Sequence, residues 1–242
     1  MKVYQYDSAP TKAKKQFQSE GFFIEPELFD DKSCAALIKE AYVISSQNKD
    51  LPPLVMPHRH SDLFLSFLKY KKLVNIMSSL LGSKISGLQS VFYFSKPGTI
   101  GFSQHQDNFF VEAKEGVFAS VWCPLVDTSP KNGSIYIYPG SNKLGNLPVV
   151  SKDTQPLRGQ DRNANNEYCV VPKTYYRVDI KMNKGSALFI HGNLVHGSNL
   201  NQSDACRYTL LNTYIKKGAK FRPGKSAQRE EVNLKINPSI LT

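Results

Sequence analysis

A chain of 242 residues with 40% hydrophobic content can bury one substantial core, and all-β barrels and sandwiches of this length commonly form one domain, which is the expectation for residues 1–242. The opening MKVYQYDSAP carries charge and a proline where a secretory leader needs an apolar run, and no stretch approaches the ~18 apolar residues of a membrane span, so a soluble, cytoplasmic protein that spans no membrane is expected. The net charge of +11 favours an anionic partner without identifying it, and the four widely spaced cysteines, with no CxxC among them, argue against a zinc knuckle or a dense disulfide framework and suit a reducing compartment.

Residues 10–82 read as helical. Asp30 or Asp31 can cap a helix carrying Ala35, Leu37, Ile38, Ala41, Tyr42 and Ile44. A second helical pattern, Leu73, Val74, Ile76, Met77, Leu80 and Leu81, stops at Gly82, the residue that best tolerates a left-handed position after a helix. From there the chain changes period. The runs 88-LQSVFYF-94, 117-VFASVWCPL-125, 134-SIYIY-138, 186-SALFI-190 and 207-RYTLLNTYI-215 are short, β-branched or aromatic, and separated by Gly, Pro and Asn, as strands and turns are.

Helices first and strands afterwards predict a mainly β protein with flanking helices: a mainly helical part over 1–87, packed on an antiparallel jelly-roll core over 88–215, followed by a basic extension over 216–242. Between the strands, 151–180 is polar and poorly periodic; a loop of that length is usually functional or disordered, which makes Arg158 and Arg162 candidates for touching substrate. The basic extension bears Lys216, Lys217, Lys220, Arg222, Lys225 and Arg229, a run that more often makes a solvated terminus than a binding strip. Only Tyr214 and Phe221 accompany it, too few aromatics for stacking on bases, so nucleic acid is not the expected partner.

The chemistry concentrates in two segments. In GFSQHQDNFF, His105 and Asp107 lie two residues apart, and on a strand that spacing turns both side chains to one face. A histidine from a distant strand would complete two imidazoles and one carboxylate, an arrangement that leaves three coordination positions open on Fe(II), enough for a bidentate oxoacid and O2. The stretch 185-GSALFIHGNLVHGSNLNQSDACRYTLLNTY-214 supplies two such histidines, His191 and His196, and then Arg207 at the head of an otherwise apolar strand. An arginine there needs an anionic partner, and its planar fork suits the distal carboxylate of a dicarboxylic acid.

HQD, then VWCPLVDTSPKNGSIYIYPGSN, then LFIHGNLVHGSN and an arginine eleven residues after the last histidine, together resemble the phytanoyl-CoA dioxygenase family of Fe(II)/2-oxoglutarate oxygenases. The resemblance covers roughly residues 17–224 and includes Gly21-Phe22 and the LQS…KPG strand at 88–98. It implies a double-stranded β-helix, cupin-like, in which His105, Asp107 and His196 hold iron, Arg207 holds 2-oxoglutarate, and a small molecule is oxidised with O2. It prefers His196 to His191 as the third ligand. Asp107 stands where halogenating relatives have a small residue, which points to hydroxylation.

The resemblance also brings Tyr93 and Trp122 towards the 2-oxoglutarate and Gln89 towards substrate. Of Phe109 and Phe110, one is expected to wall the pocket while the other packs, with Phe109 as the residue at the substrate. His58, from MPHRHSD, and His191 are expected to contact substrate, and neither His58 nor His60 to bind metal. Two other readings are a non-catalytic β-sandwich that binds an acidic polymer through its basic tail, and a cupin-like metal enzyme that uses no 2-oxoglutarate.

Overall fold

The computed structural model describes residues 4–46, 50–151 and 167–235. Its elements are α1 (Pro10–Glu20), β1 (Phe22–Glu25), α2 (Asp31–Ile44), β2 (Leu54–Val55), α3 (Asp62–Leu68), α4 (Lys71–Leu81), β3 (Ile85–Ser95), α5 (Asp107–Val111), β4 (Phe118–Pro124), β5 (Ile135–Ile137), β6 (Val149–Ser151), β7 (Glu167–Cys169), β8 (Val178–Asp179), β9 (Ala187–His191), β10 (His196–Ser198) and β11 (Arg207–Lys216). The strands pair antiparallel throughout. Among the described residues they form a large sheet in the order β1-β9-β4-β11-β3-β2, a small sheet β10-β5-β8 and a hairpin β6-β7, the two facing sheets of a jelly roll.

The helical layer follows from its sequence. The Asp30 side chain accepts from the Ser33 N–H at 2.8 Å and so caps α2. In α4, Leu73, Ile76, Met77, Leu80 and Leu81 are buried at helical spacing, and Gly82 closes the helix at φ 65. These side chains pack on the outer face of the large sheet, against Phe92, Val121, Phe189 and Leu210. Strand alternation sends the neighbours the other way, so Trp122, Leu188 and Ile190 meet Ile135, Ile137 and Ile180 between the two sheets.

Three expectations need correction. Residues 10–82 are not all helical, because 22-FFIE-25 is a strand that pairs with β9, Phe22 opposite Ile190. All four of its residues are buried, so it lacks the alternation that marks a half-exposed strand. The helical part also ends before residue 87, with β3 starting at Ile85. The basic segment is not a solvated tail as far as Lys235: Val232 bridges Gly87 on β3, with N···O distances of 3.0 and 2.8 Å, and Ala227 is buried. Among the described residues no helix is long and apolar enough to cross a membrane, and all four cysteines are free thiols.

Candidate active site

The site lies on the seam between the two sheets. His105 and His196 exchange backbone hydrogen bonds at 2.8 and 3.0 Å, an isolated antiparallel bridge that brings their rings to 4.4 Å between centroids. Asp107 does not continue that extended run. Gln106 has φ -116 and ψ 127, and the next residue opens α5. The turn is forced by Gln106, whose buried amide donates to the Gly145 and Asn193 carbonyls at 2.7 Å each and so anchors the chain as it changes direction. The carboxylate therefore reaches the histidines from the first turn of a helix rather than from a shared strand face.

Hydrogen bonds fix which ring nitrogens carry protons. His105 Nδ1 lies 2.8 Å from the Ser103 carbonyl and His196 Nδ1 lies 3.0 Å from the Leu194 carbonyl. A carbonyl can only accept, so in each neutral ring the proton sits on Nδ1 and the Nε2 lone pair points at Asp107. Ser120 donates to Asp107 Oδ2 at 2.5 Å. Oδ1 is then left 3.5 Å from His105 Nε2 and 3.6 Å from His196 Nε2, beyond good hydrogen-bond range. Three electron-rich atoms within 4.8 Å of one another are a ready cation site. Two imidazoles and a hard carboxylate, without thiolate, fit Fe(II).

The electrostatics agree. Burial by itself would raise the Asp107 carboxyl, but His196, His105 and the Ser120 hydroxyl outweigh it and hold the group below the usual carboxylate range. Burial, with His105 adding to it, pushes the His196 ring down to about 4, so the neutral, ligating form prevails at neutral pH.

β11 turns Arg207, Thr209, Leu211 and Thr213 towards the interior by alternation. Arg207 is buried, its guanidinium lies 5.7 Å from the Trp122 ring, and its Nε has no hydrogen-bond partner. Burial lowers it to about 10, still a cation at neutral pH. A buried orphan donor on a charged fork is what the far carboxylate of a dicarboxylic acid would satisfy. Arg207, Trp122, Thr209, Tyr93, His196 and Asp107 line one narrow chamber. A second cavity of about 550 Å³ shares Tyr93, Phe102, His105, Asp107 and Leu211 with it and opens outwards past Gln89, Phe110 and the C-terminal segment.

Tyr93, Trp122 and Gln89 line these spaces, and three other residues singled out from the sequence do not. His191 ends β9 on the helical side: its ring packs 5.6 Å from Phe17, and its Nδ1 accepts from the Asn193 N–H at 3.1 Å. It follows Ile190, which faces the interior, so alternation turns it away. His58 hydrogen-bonds Ser90 through Nδ1 at 2.7 Å, on the face of β3 opposite Gln89 and Tyr93. Phe110, not Phe109, walls the cavity, with its ring 6.0 Å from His105, and Phe109 packs edge-on against Phe110 at 5.2 Å. Arg158 and Arg162 lie outside the described residues.

Sequence reasoning passed over Ser120 and Thr209, and it read Arg229 as part of a solvated run. Ser120 and Thr209 carried a signal, since each is two residues from a singled-out partner on its strand, Trp122 and Arg207. Arg229 carried none beyond its charge, because its position depends on a fold-back onto a strand some 140 residues earlier, where its Nε donates to Gln89.

The phytanoyl-CoA dioxygenase (PhyH) family model matches residues 17–209. Phytanoyl-CoA dioxygenase domain-containing protein 1 of Danio rerio is 32% identical over 195 residues, 77% of this chain and 62% of that protein. Phytanoyl-CoA dioxygenase 1 of Oryza sativa subsp. japonica is 27% identical over 197 residues, 81% and 66% respectively. The matched stretch spans less than two thirds of the length of either relative. The epimerase SnoN, crystallised with Fe3+, alpha ketoglutarate and nogalamycin RO, shares the fold at a TM-score of 0.73 and 17% identity, covering 96% of this chain and 97% of that one. Carrying the ordered motifs, the jelly roll and the matching model over most of its length, the chain belongs to the phytanoyl-CoA dioxygenase family.

Proposed function

We propose that this chain is an Fe(II)- and 2-oxoglutarate-dependent oxygenase that hydroxylates an aliphatic C–H bond of a small molecule. His105, Asp107 and His196 would hold the metal, and Arg207 would receive the distal carboxylate of 2-oxoglutarate. With both bound, the metal supplies the coupling of O2 reduction and oxoacid decarboxylation, to succinate and CO2, with oxidation of a C–H bond.

The protein contributes arrangement. Ser103 and Leu194 keep the protons on Nδ1 and thereby keep both Nε2 atoms available. Ser120 occupies Oδ2 of Asp107 and leaves Oδ1 to face the rings. Arg207 and the indole of Trp122 set a cation and an apolar wall at one end of the inner chamber, an arrangement that would hold the dicarboxylate in one orientation. Phe102, Phe110, Phe118 and Leu211 line the outer cavity with apolar surface that limits water near the metal. Its volume, about 550 Å³, is in the range of small-molecule sites.

The observation that carries this reading is the pairing in one chamber of the facial triad with a buried arginine whose Nε lacks a partner. Arg207 is what disfavours a cupin-like enzyme without 2-oxoglutarate. Anaerobic addition of Fe(II) and then 2-oxoglutarate should give a weak visible absorption band that Asp107→Ala abolishes. A wild-type chain that gives no band, and releases no succinate with any of a broad panel of substrates, would refute the assignment.

A further inference from the structure

Five arginines lie among the described residues, and their partners divide them sharply. Arg59, Arg177 and Arg222 pair with Glu230, Asp179 and Glu112 at 3.3, 2.9 and 2.7 Å. Arg207 and Arg229 pair with no carboxylate among the described residues, and both line the cavities around the triad. Arg207 belongs to the inner chamber. Arg229 belongs to the outer one, where substrate would sit.

Arg229 is held firmly without being neutralised. Its Nε donates to Gln89 Oε1 at 2.6 Å, and its Nη1 lies 3.3 Å from the carbonyls of Phe110 and Arg222 and 3.4 Å from that of Pro223. These acceptors are uncharged, so they orient the guanidinium and leave its charge, and its Nη2, for something else. Burial lowers its pKa, and Asp107 is near enough to offset part of that. Lys225 lines the same cavity, and Arg222, already paired with Glu112, lies beside it. The rest of the wall is mixed: Phe102, Phe110, Val111 and Phe118 give it an apolar side, Ser103, Thr213 and Ser226 add hydroxyls, and Asp107 and Glu167 add the carboxylates.

We propose that the outer cavity takes a small substrate with an apolar body and one anionic group, a carboxylate or a phosphonate, and that Arg229 is the residue that receives that group. The proposal rests on the oxygenase reading for the word substrate, and on the cavity alone for the anion. With the anion at Arg229, the rest of the molecule lies along the aromatic wall towards the triad, so the C-terminal segment helps to choose which C–H bond is presented. The partner class that fits the basic extension is then a small acid bound inside rather than an acidic polymer bound outside.

The test is a binding experiment on the full chain without metal. Matched probes, phenylacetate against phenylacetamide and hexanoate against hexanamide, are titrated by calorimetry or ligand-observed NMR, with phenylphosphonate as the phosphorus arm. The acids should bind at least about tenfold more tightly than their amides, about 1.4 kcal/mol. Arg229→Gln should erase that preference and Arg229→Lys should restore most of it. Whichever of phenylacetate and phenylphosphonate is held more tightly names the anion. Equal binding of acids and amides, binding of neither, or a preference that survives Arg229→Gln overturns the proposal. Quenching of the sole tryptophan, Trp122, by 2-oxoglutarate with metal reports the inner chamber separately. Its loss in wild type would count against the oxygenase reading and leave the anion result standing.

Discussion

Two histidines look alike in sequence and differ in what surrounds them. His191 and His196 are five residues apart, yet His196 places Nε2 3.6 Å from Asp107 while His191 packs against Phe17. His196→Ala should lower metal affinity by more than about 100-fold, exceeding what loss of an outer partner of a ligand costs. His191→Ala should leave metal affinity within a few-fold and reduce stability, through lost packing. Anaerobic Co(II) titration followed by its visible spectrum separates the two, and equal loss in both variants would sink the ligand assignment. His58 titrates stability instead. Burial, then the neighbouring Arg59 and His60 charges, push it from 6.5 down to about 4. Between those values the unfolded chain binds a proton that the folded chain refuses, so its contribution is present above about pH 6.5 and is lost as pH falls towards 4. The loss amounts to roughly 3 kcal/mol at most, from about 1.4 kcal/mol per pKa unit. His58→Gln should be less stable than wild type at pH 7 and close that gap as pH falls to 4.5, measured by urea unfolding. A gap that is constant with pH would show that His58 does not titrate in this range.

At the scale of elements, the runs at 88–94, 117–125, 134–138, 186–190 and 207–215 fall on β3, β4, β5, β9 and β11 because each was bounded by turn residues and rich in β-branched or aromatic side chains. The strand 22–25 was illegible for the opposite reason. It is short, buried on both faces and enclosed by helices, so neither period marks it. Phe23 shows what it contributes, being fully buried and stacked at 4.5 Å on Phe189. Phe23→Ala should cost about 3–5 kcal/mol, the usual range for an aromatic core truncation, read as a shift in the denaturant midpoint. The local geometry of the triad was half legible: the spacing of His105 and Asp107 promised convergence, and convergence occurs, through a bridge and a helix start rather than one strand. Close packing around β10 explains the small residue beside the ligand. A Cβ on Gly197 would lie 2.7 Å from the Phe102 carbonyl and closer still to the Tyr136 hydroxyl. Gly197→Ala should therefore shift β10 and weaken metal binding about tenfold or more without touching any donor atom. Unchanged Co(II) affinity would mean that β10 can move without carrying His196 along.

Across the whole molecule, the site joins what the backbone leaves as two sheets. His196 stands on β10 of the small sheet, Arg207 on β11 of the large one, and Asp107 enters on the helix between β3 and β4. Within the described residues the sheets meet mainly through apolar side chains such as Trp122, Ile135 and Ile190. Ligands held at both ends of the inner chamber should therefore tie the layers together, and the two contributions should be separable. A ligand at 100 times its Kd adds about 2.7 kcal/mol to stability, which for a chain of this size raises the melting midpoint by roughly 5–10 °C. Metal alone should give one such increment and 2-oxoglutarate a further one that requires the metal, with Mn(II) replacing Fe(II) to prevent turnover. Asp107→Ala should lose both increments. Arg207→Gln should keep the first and lose the second, because truncating one side of a buried charge pair costs about 2–5 kcal/mol. If 2-oxoglutarate stabilises Arg207→Gln as much as wild type, the dicarboxylate is held elsewhere, and Arg229 becomes the only other unpaired arginine on the cavity wall, among the described residues, that could be holding it.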